Sequence, residues 1–367
     1  MIENLVNGKA AGDKLFPGKI AAITGNTLYG DDLYSAKQLV AKYGEEKIIH
    51  VTWPENFLTH QNEMIDIGSA LAADSEIKAL IVNQALPGTN AAVDKFKETR
   101  DDVFIIYCTS HEAIEEVTAR ANLILELNEL DMGPAMVKQA RKQGAKVFVH
   151  YSFDRHMSQP ILSGCFRLIQ DACAAEDIKL VYAAALDPAG EAGIAGARQF
   201  ILEDVPKLVA KYGEDTAFYC TNCALQASLI RAVVDSHAIY PQPCCPSPFH
   251  GFPDALGINT DGDHSDLNHI INEACRIAAE KNMTDRLSTW PVSASMMFMN
   301  AGAKYAIKWI KGLVPKTDID DRVLEYCMNE YVKEVVGEGV EVEMVSCIEN
   351  GITYDNFKLL LMSYLDF

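Results

Sequence analysis

The chain has 367 residues, 49% of them hydrophobic and 23% charged. At roughly 100–200 residues per domain, that is two domains or one large one, with core enough to need no disulfide staples. Lys and Arg number 32 against 51 Asp and Glu, and the net charge of −19 argues against nucleic acid or an anionic membrane surface as the main partner, since phosphate contacts need clustered cations.

One pattern recurs along the chain: a β-branched or aromatic run, a polar or Gly-containing loop, then a helical stretch. Ile20–Thr24 is the first run, and Gly30–Tyr43 reads helical with Leu33, Ala36, Leu39 and Val40 on one face. Strands follow at Lys47–Trp53, Ile77–Asn83, Val103–Cys108 and Asn122–Leu127, with helices at Thr59–Ala73, Asn90–Thr99 and Met132–Gln143. The theme restarts with strands at Ala145–Phe153, Ile178–Leu186 and Thr216–Thr221. Its helices are Pro160–Ala175, Ile194–Tyr212 (interrupted by Pro206) and Leu225–Ser236. Further helices are expected at Asp266–Lys281, Ser293–Lys311 and Asp320–Val335, and a last strand at Val340–Cys347.

The strands are continuous apolar runs, as parallel strands covered on both faces are. Alternating βα units imply parallel, right-handed, doubly wound sheets, and their number suits two sheets better than one. The segment Leu39-Val-Ala-Lys-Tyr-Gly-Glu45 recurs as Leu208-Val-Ala-Lys-Tyr-Gly-Glu214, which reads as one C-cap solution used twice. Pro241, Pro243, Pro246, Pro248 and Pro253 forbid a helix and make this segment a connection. No run approaches 18 apolar residues, so no membrane span is expected. The first residues, MIENLVNGKAAGDKLFPGK, hold no apolar stretch behind a basic start. The sequence as it stands therefore reads as cytoplasmic, with export or a lipid anchor the alternative if a signal was removed. Ten cysteines, mostly in apolar segments, fit buried reduced thiols.

In a doubly wound sheet, ligands bind outside the carboxyl ends of the strands. Those ends hold Asn26, Tyr29, Trp53, Asn83, Ser110, Asn128, Tyr151, Arg155, Asp187 and Asn222. Aromatic, amide, hydroxyl and charged groups together suit a small polar ligand. Taken singly, each Asn, Asp or Ser there is as well explained as a turn former or helix cap. Cys220-Thr-Asn-Cys223 is a C-x-x-C at a strand-to-helix junction, and Cys244, Cys245 and His250 could extend it to a zinc set. Adjacent Cys244 and Cys245 make an awkward bite, so structural cysteine is preferred and no metal or cofactor is assigned. Asp261-Gly-Asp-His-Ser-Asp266 lacks EF-hand spacing and reads as a loop with a helix cap at Ser265 or Asp266. No G-x-G-x-x-G, Walker A, G-x-S-x-G or H-E-x-x-H motif occurs.

The opening strand with its polar loop, Ala121–Gly133 leading to Gly144–Val149, Phe218–Asn222 and His250–Phe252 together resemble the type I periplasmic-binding-protein fold. More closely, Phe148–Phe153, Arg155–Met157, Cys220–Cys223 and Tyr240–Pro248 resemble a bacterial family of unknown function with this fold. The resemblance spans about residue 16 to the end. It implies two lobes joined by three crossings. Residues 1–15 would be an extension, 16–128 plus 253–339 lobe 1, and 129–252 plus 340–367 lobe 2. It also implies a ligand cleft lined by the residues above, to which it adds His250.

The expected function is therefore a solute-binding or sensor protein without catalysis, holding a small polar ligand. Its expected partners are a membrane transporter or a regulatory protein, with no nucleic acid bound by this chain alone. Two alternatives stand beside it. One is an isomerase, lyase or thiol-dependent enzyme drawing on His111, His156, His250, Asp187 and Cys223. The other is the ligand-sensing part of a transcriptional regulator.

Overall fold

Strand runs and helix faces are laid down much as their periodicity dictates. In the computed structural model, which describes residues 16–25, 30–261 and 266–367, β1 is Lys19–Thr24, α1 Gly30–Tyr43, β2 Ile48–Thr52 and α2 Gln61–Ala72. Then come β3 (Ile77–Ala85), α3 (Thr89–Lys97), β4 (Phe104–Ser110), α4 (Ile114–Thr118) and β5 (Leu123–Leu127). Next are α5 (Glu129–Lys142), β6 (Val147–Ser152), α6 (Asp154–Met157), α7 (Pro160–Ala175) and β7 (Lys179–Ala184). They are followed by α8 (Gly193–Tyr212), β8 (Thr216–Cys220), a 3-10 turn at Cys223–Leu225 and α9 (Gln226–Asp235). The chain closes with α10 (Phe252–Leu256), α11 (Leu267–Glu280), β9 (Ser288–Thr289), α12 (Ala294–Ile310), α13 (Asp321–Val336), β10 (Val342–Glu349), β11 (Ile352–Met362) and β12 (Leu365–Asp366).

These elements form two compact units. Unit 1 is the chain up to Leu127, Ala294–Glu334 and Glu341–Leu360; unit 2 is Asn128–Ser293, Val335–Val340 and Leu361–Phe367. Unit 1 has a sheet ordered β10-β11-β5-β4-β3-β1-β2, parallel from β11 to β2. Because side chains alternate across a strand, Ile23, Val82, Ile105 and Tyr107 pack with Met64, Val93, Phe96 and Val117 of the helices on one face. Ile106, on the opposite pleat, meets Gly302 of α12. That helix is buried without interruption from Met296 to Lys308, as a helix apolar on most of its surface must be.

In unit 2 the sheet order is β7-β6-β8, all parallel. Val149, Tyr151, Phe218 and Cys220 face α8, α9 and α11, where they meet Ile201, Leu229, Val233 and Ile270. Phe148, Ala217 and Tyr219 face α5 and α7 through Met136, Val137, Ile169 and Cys173. Both sheets are thus doubly wound. The two copies of the repeated segment end α1 and α8 alike. Gly44 (φ 94°) and Gly213 (φ 90°) both take positive φ, which glycine adopts without a Cβ penalty, each donating its N–H back to a helix carbonyl at 2.8 Å.

Three expectations are corrected. The chain re-enters unit 1 at Ala294, not after Phe252, because Phe252, Ile258, Ile270 and Leu287 belong to the unit 2 core. Residues 341–360 lie in unit 1, since β11 pairs in parallel with β5 from Phe357↔Ile124 to Leu360↔Leu127. Pro206 does not interrupt α8, which runs unbroken to Tyr212. The acidic cluster at 261–266 falls mostly outside the described residues; Asp266 is the N-cap of α11.

Candidate functional site

The parallel strands of unit 1 end on one edge, and local sequence sets what each end presents. Asn83, fully buried near the end of β3, donates through Nδ2 to Asp32 Oδ1 at 3.3 Å and to the Ser295 carbonyl at 3.2 Å. Asp32 sits in the first turn of α1. Burial pushes its carboxyl up to about 7, against hydrogen bonds from Ser295 and Gln84 that favour the anion. Ser110 ends β4, and its amide donates to Glu126 Oε2 at 2.8 Å. Among the described residues, three buried oxygens on this edge find no hydrogen-bond partner: Asp32 Oδ2, Asn83 Oδ1 and Ser110 Oγ. Between them, Gln84 (φ 73°) and Thr109 (φ 49°) take left-handed backbone that non-glycine residues rarely adopt. Such conformations collect at binding sites, where surrounding structure enforces them.

Trp53 follows β2. Its indole N–H donates to the Gln84 carbonyl at 3.2 Å. Together with Thr52, Glu55, Glu63 and Ile67 it lines a cavity of about 330 Å³. Asn26 and Tyr29 lie outside the described residues. Asn128, at the junction of the units along the chain, is the N-cap of α5. It accepts from the Asp131 amide at 3.3 Å and donates to Asp131 Oδ2 at 2.8 Å, so the plainer reading as a cap holds for it.

Unit 2 treats its expected residues unevenly. Tyr151 is a core residue. Its ring stacks on Phe218 and its hydroxyl donates to Asp204 Oδ2 at 2.9 Å, because the pleat turns it into the sheet face rather than off the strand end. Arg155 and Asp187 form a two-pronged pair, both contacts at 2.8 Å, and the guanidinium lies 5.2 Å over the Phe153 ring. The Arg155 hydrogen bonds hold the Asp187 carboxyl down at about 2. Asn222 caps the 3-10 turn, accepting from the Ala224 amide at 2.9 Å. A polar chain that sequence reading did not assemble joins β6 and β8. Ser152 Oγ and Thr221 Oγ1 lie 2.9 Å apart, and Thr221 Oγ1 lies 2.9 Å from His156 Nδ1.

The C-x-x-C splits. Cys220 is fully buried and burial pushes its thiol up to about 12, while Cys223 is exposed. Cys223 instead faces the Pro-rich segment: its Sγ lies 3.4 Å from Cys244 and 3.7 Å from Cys245, which are 3.9 Å from each other. His250 completes the group, and the four donor atoms lie within 4.8 Å of one another. Structural burial therefore does not account for the exposed Cys223 and Cys245. Contacts with Cys244, Cys245 and His250 pull the Cys223 thiol well below its usual range, whereas its neighbours and burial push Cys244 up. At His250 burial opposes the charged ring, but Cys223 and Cys245 outweigh it and raise it to about 11. Of the acid–base groups considered for an enzyme, His111 belongs to unit 1 and the other four to unit 2.

Gln84 and Thr109 directly neighbour the expected Asn83 and Ser110, whereas sequence reading missed Asp32 and Glu126. Only Asp32 left a signal, an acid in the first turn of the helix after β1, at the edge where such sheets take ligands.

Solved structures place the fold. A crystal structure from Clostridium difficile 630, described as a candidate transcriptional regulator, superposes with a TM-score of 0.85 at 20% identity, covering 96% of this chain and all of that one. A sugar ABC transporter protein from Actinomyces odontolyticus ATCC 17982 superposes at 0.50 with 10% identity, covering 81% and 84%. The fold is that of the type I periplasmic-binding-protein-like proteins. An uncharacterized protein of Treponema pallidum (strain Nichols) is 34% identical over 165 residues, which is 45% of this chain and 76% of the relative. Residues 19–288 match the family described as "Protein of unknown function (DUF3798)", and the chain belongs to that family.

Proposed function

We propose that the chain binds a small polar ligand, as a solute-binding or sensor protein without catalysis. The reading is carried by the unit 1 edge, where Asp32, Asn83 and Ser110 each leave a buried oxygen unpaired among the described residues, beside two residues in left-handed backbone. A buried polar group without a partner costs roughly 1–3 kcal/mol. A ligand rich in hydroxyl or amide donors removes that cost, which is how such an edge gains affinity and orientation together. Trp53 offers an apolar flank on the same unit. The likeness to a sugar transporter protein agrees with this reading at the level of fold. A membrane transporter or a regulatory protein would then be the partner.

Thermal-shift screening with sugars, nucleosides, amino acids and peptides tests it. A ligand at 100 times its Kd stabilises the fold by about 2.7 kcal/mol. Asn83→Ala and Ser110→Ala are expected to remove most of the ligand-induced shift while the folded chain persists. No shift with any class would sink the reading. The regulator description of the Clostridium difficile structure favours a ligand-sensing part of a regulator as the second reading. Sequence-specific DNA binding by a complex containing this chain, altered by the same ligand, would select it.

A further inference from the structure

We propose that Cys223, Cys244, Cys245 and His250 form a closed mononuclear zinc site that fastens the Pro-rich segment to the end of β8. A tetrahedral Zn²⁺ with Zn–S bonds near 2.3 Å requires sulfurs about 3.8 Å apart. The three sulfur pairs here stand at 3.4, 3.7 and 3.9 Å, before any ion draws them into register. They are too far apart for a disulfide, whose sulfurs sit about 2.05 Å from each other. The group is also too compact, and one cysteine short, for an iron–sulfur cluster held by four thiolates.

The fourth ligand is oriented already. His250 Nδ1 lies 2.8 Å from the Cys245 carbonyl oxygen. A carbonyl only accepts, so Nδ1 carries a proton and Nε2 is the nitrogen left for the metal, which displaces any proton held there. Metal-binding histidines are commonly fixed in this way, by donating the other ring N–H to a carbonyl or carboxylate. Three thiolates and one neutral imidazole suit Zn²⁺, a borderline-soft d¹⁰ ion without geometric demands of its own. Binding releases the thiol protons, so affinity rises with pH until the ligands are fully deprotonated.

All four positions are taken by protein, which marks a structural rather than a catalytic zinc. Cys223 comes from the 3-10 turn behind β8, and the other three from the segment between Pro241 and Pro253. That segment is anchored at its start, where Ser288 donates to the Pro241 carbonyl at 2.7 Å and Gln242 accepts from Tyr364. Zinc would hold its far half, which carries no regular element before α10. The inference does not depend on the ligand reading, because that reading is carried by Asp32, Asn83 and Ser110 of unit 1 and by none of these four residues.

The test uses the full chain purified under reducing conditions. Metal analysis is expected to find one zinc per chain. Replacing it with Co²⁺ is expected to give the visible bands of a tetrahedral site and a near-ultraviolet sulfur-to-cobalt band. That band should weaken stepwise in Cys245→Ser and in the Cys223→Ser/Cys245→Ser double variant. His250→Ala is expected to lower zinc affinity at least tenfold and keep the sulfur band, while far-ultraviolet circular dichroism shows the fold intact. Should a variant fail to fold, the wild-type cobalt spectrum and zinc stoichiometry decide alone. Sub-stoichiometric metal, octahedral cobalt, or a Cys223–Cys244 disulfide in the reduced preparation would overturn the proposal.

Discussion

Residues at strand ends have two uses, and the hydrogen bonds separate them. Asn128 and Asn222 spend their side chains as caps, and Tyr151 is turned into the core by the pleat. Sequence position identified the strand ends but could not assign their partners, because capping and ligand contact use the same residue types. Asp32 makes the distinction measurable. An unfolded aspartate titrates near 3.8, and burial raises Asp32 to about 7. The folded chain holds that proton more tightly, so the contribution is full below about pH 4 and is lost as pH rises through about 7. Asp32→Asn keeps the shape and removes the titration. The unfolding free energy of wild type relative to this variant is expected to fall over that window by at most about 4 kcal/mol, then level off. A flat difference in chemical denaturation across the window would show that Asp32 is ionised in the fold. Thr109 provides a second case. A β-branched residue at φ 49° is strained, so Thr109→Gly is expected to stabilise by up to about 1 kcal/mol, against the usual cost of glycine in a strand. A lower denaturation midpoint would contradict this.

At the scale of elements, strands buried on both faces were legible because nothing but a continuous apolar run can fill them. β11 was not. Its first residues are mostly exposed, and its buried positions begin only at Phe357. The signal overlooked was Asn350-Gly351, both at positive φ, the pairing that a tight hairpin turn between β10 and β11 demands. Helix contacts were less legible still. Gly68 of α2 lets the backbone of α3 come so close that an added Cβ would meet the Ala92 carbonyl oxygen. A backbone atom cannot step aside as a side chain does. Gly68→Ala is therefore expected to cost about 1–3 kcal/mol through displacement of the two helices, read as a lowered denaturant midpoint with an unchanged slope. An unchanged midpoint would mean that the helices separate freely.

For the whole molecule, two doubly wound units were expected and are found, but their boundaries in the chain were misplaced. Prolines from 241 to 253 look like a linker, yet Tyr240, Gln242 and Ser247 are buried and the segment belongs to unit 2. Proline forbids a helix without forbidding burial, so composition alone could not mark the crossing. Neither could spacing show that Cys223 meets Cys244 and Cys245, because β8, its turn and the segment's fold set that meeting. Among the described residues no helix is long and apolar enough to cross a membrane. This chain of the DUF3798 family is proposed to hold a small polar ligand at the strand ends of unit 1. Native mass spectrometry of the gently purified full chain, before and after incubation with the screened compound classes, tests it most directly. A discrete non-covalent adduct heavier than zinc is expected, lost in Asn83→Ala and Ser110→Ala and retained in Cys245→Ser. A chain that carries no such adduct under any class, or one that all these variants retain equally, would contradict it.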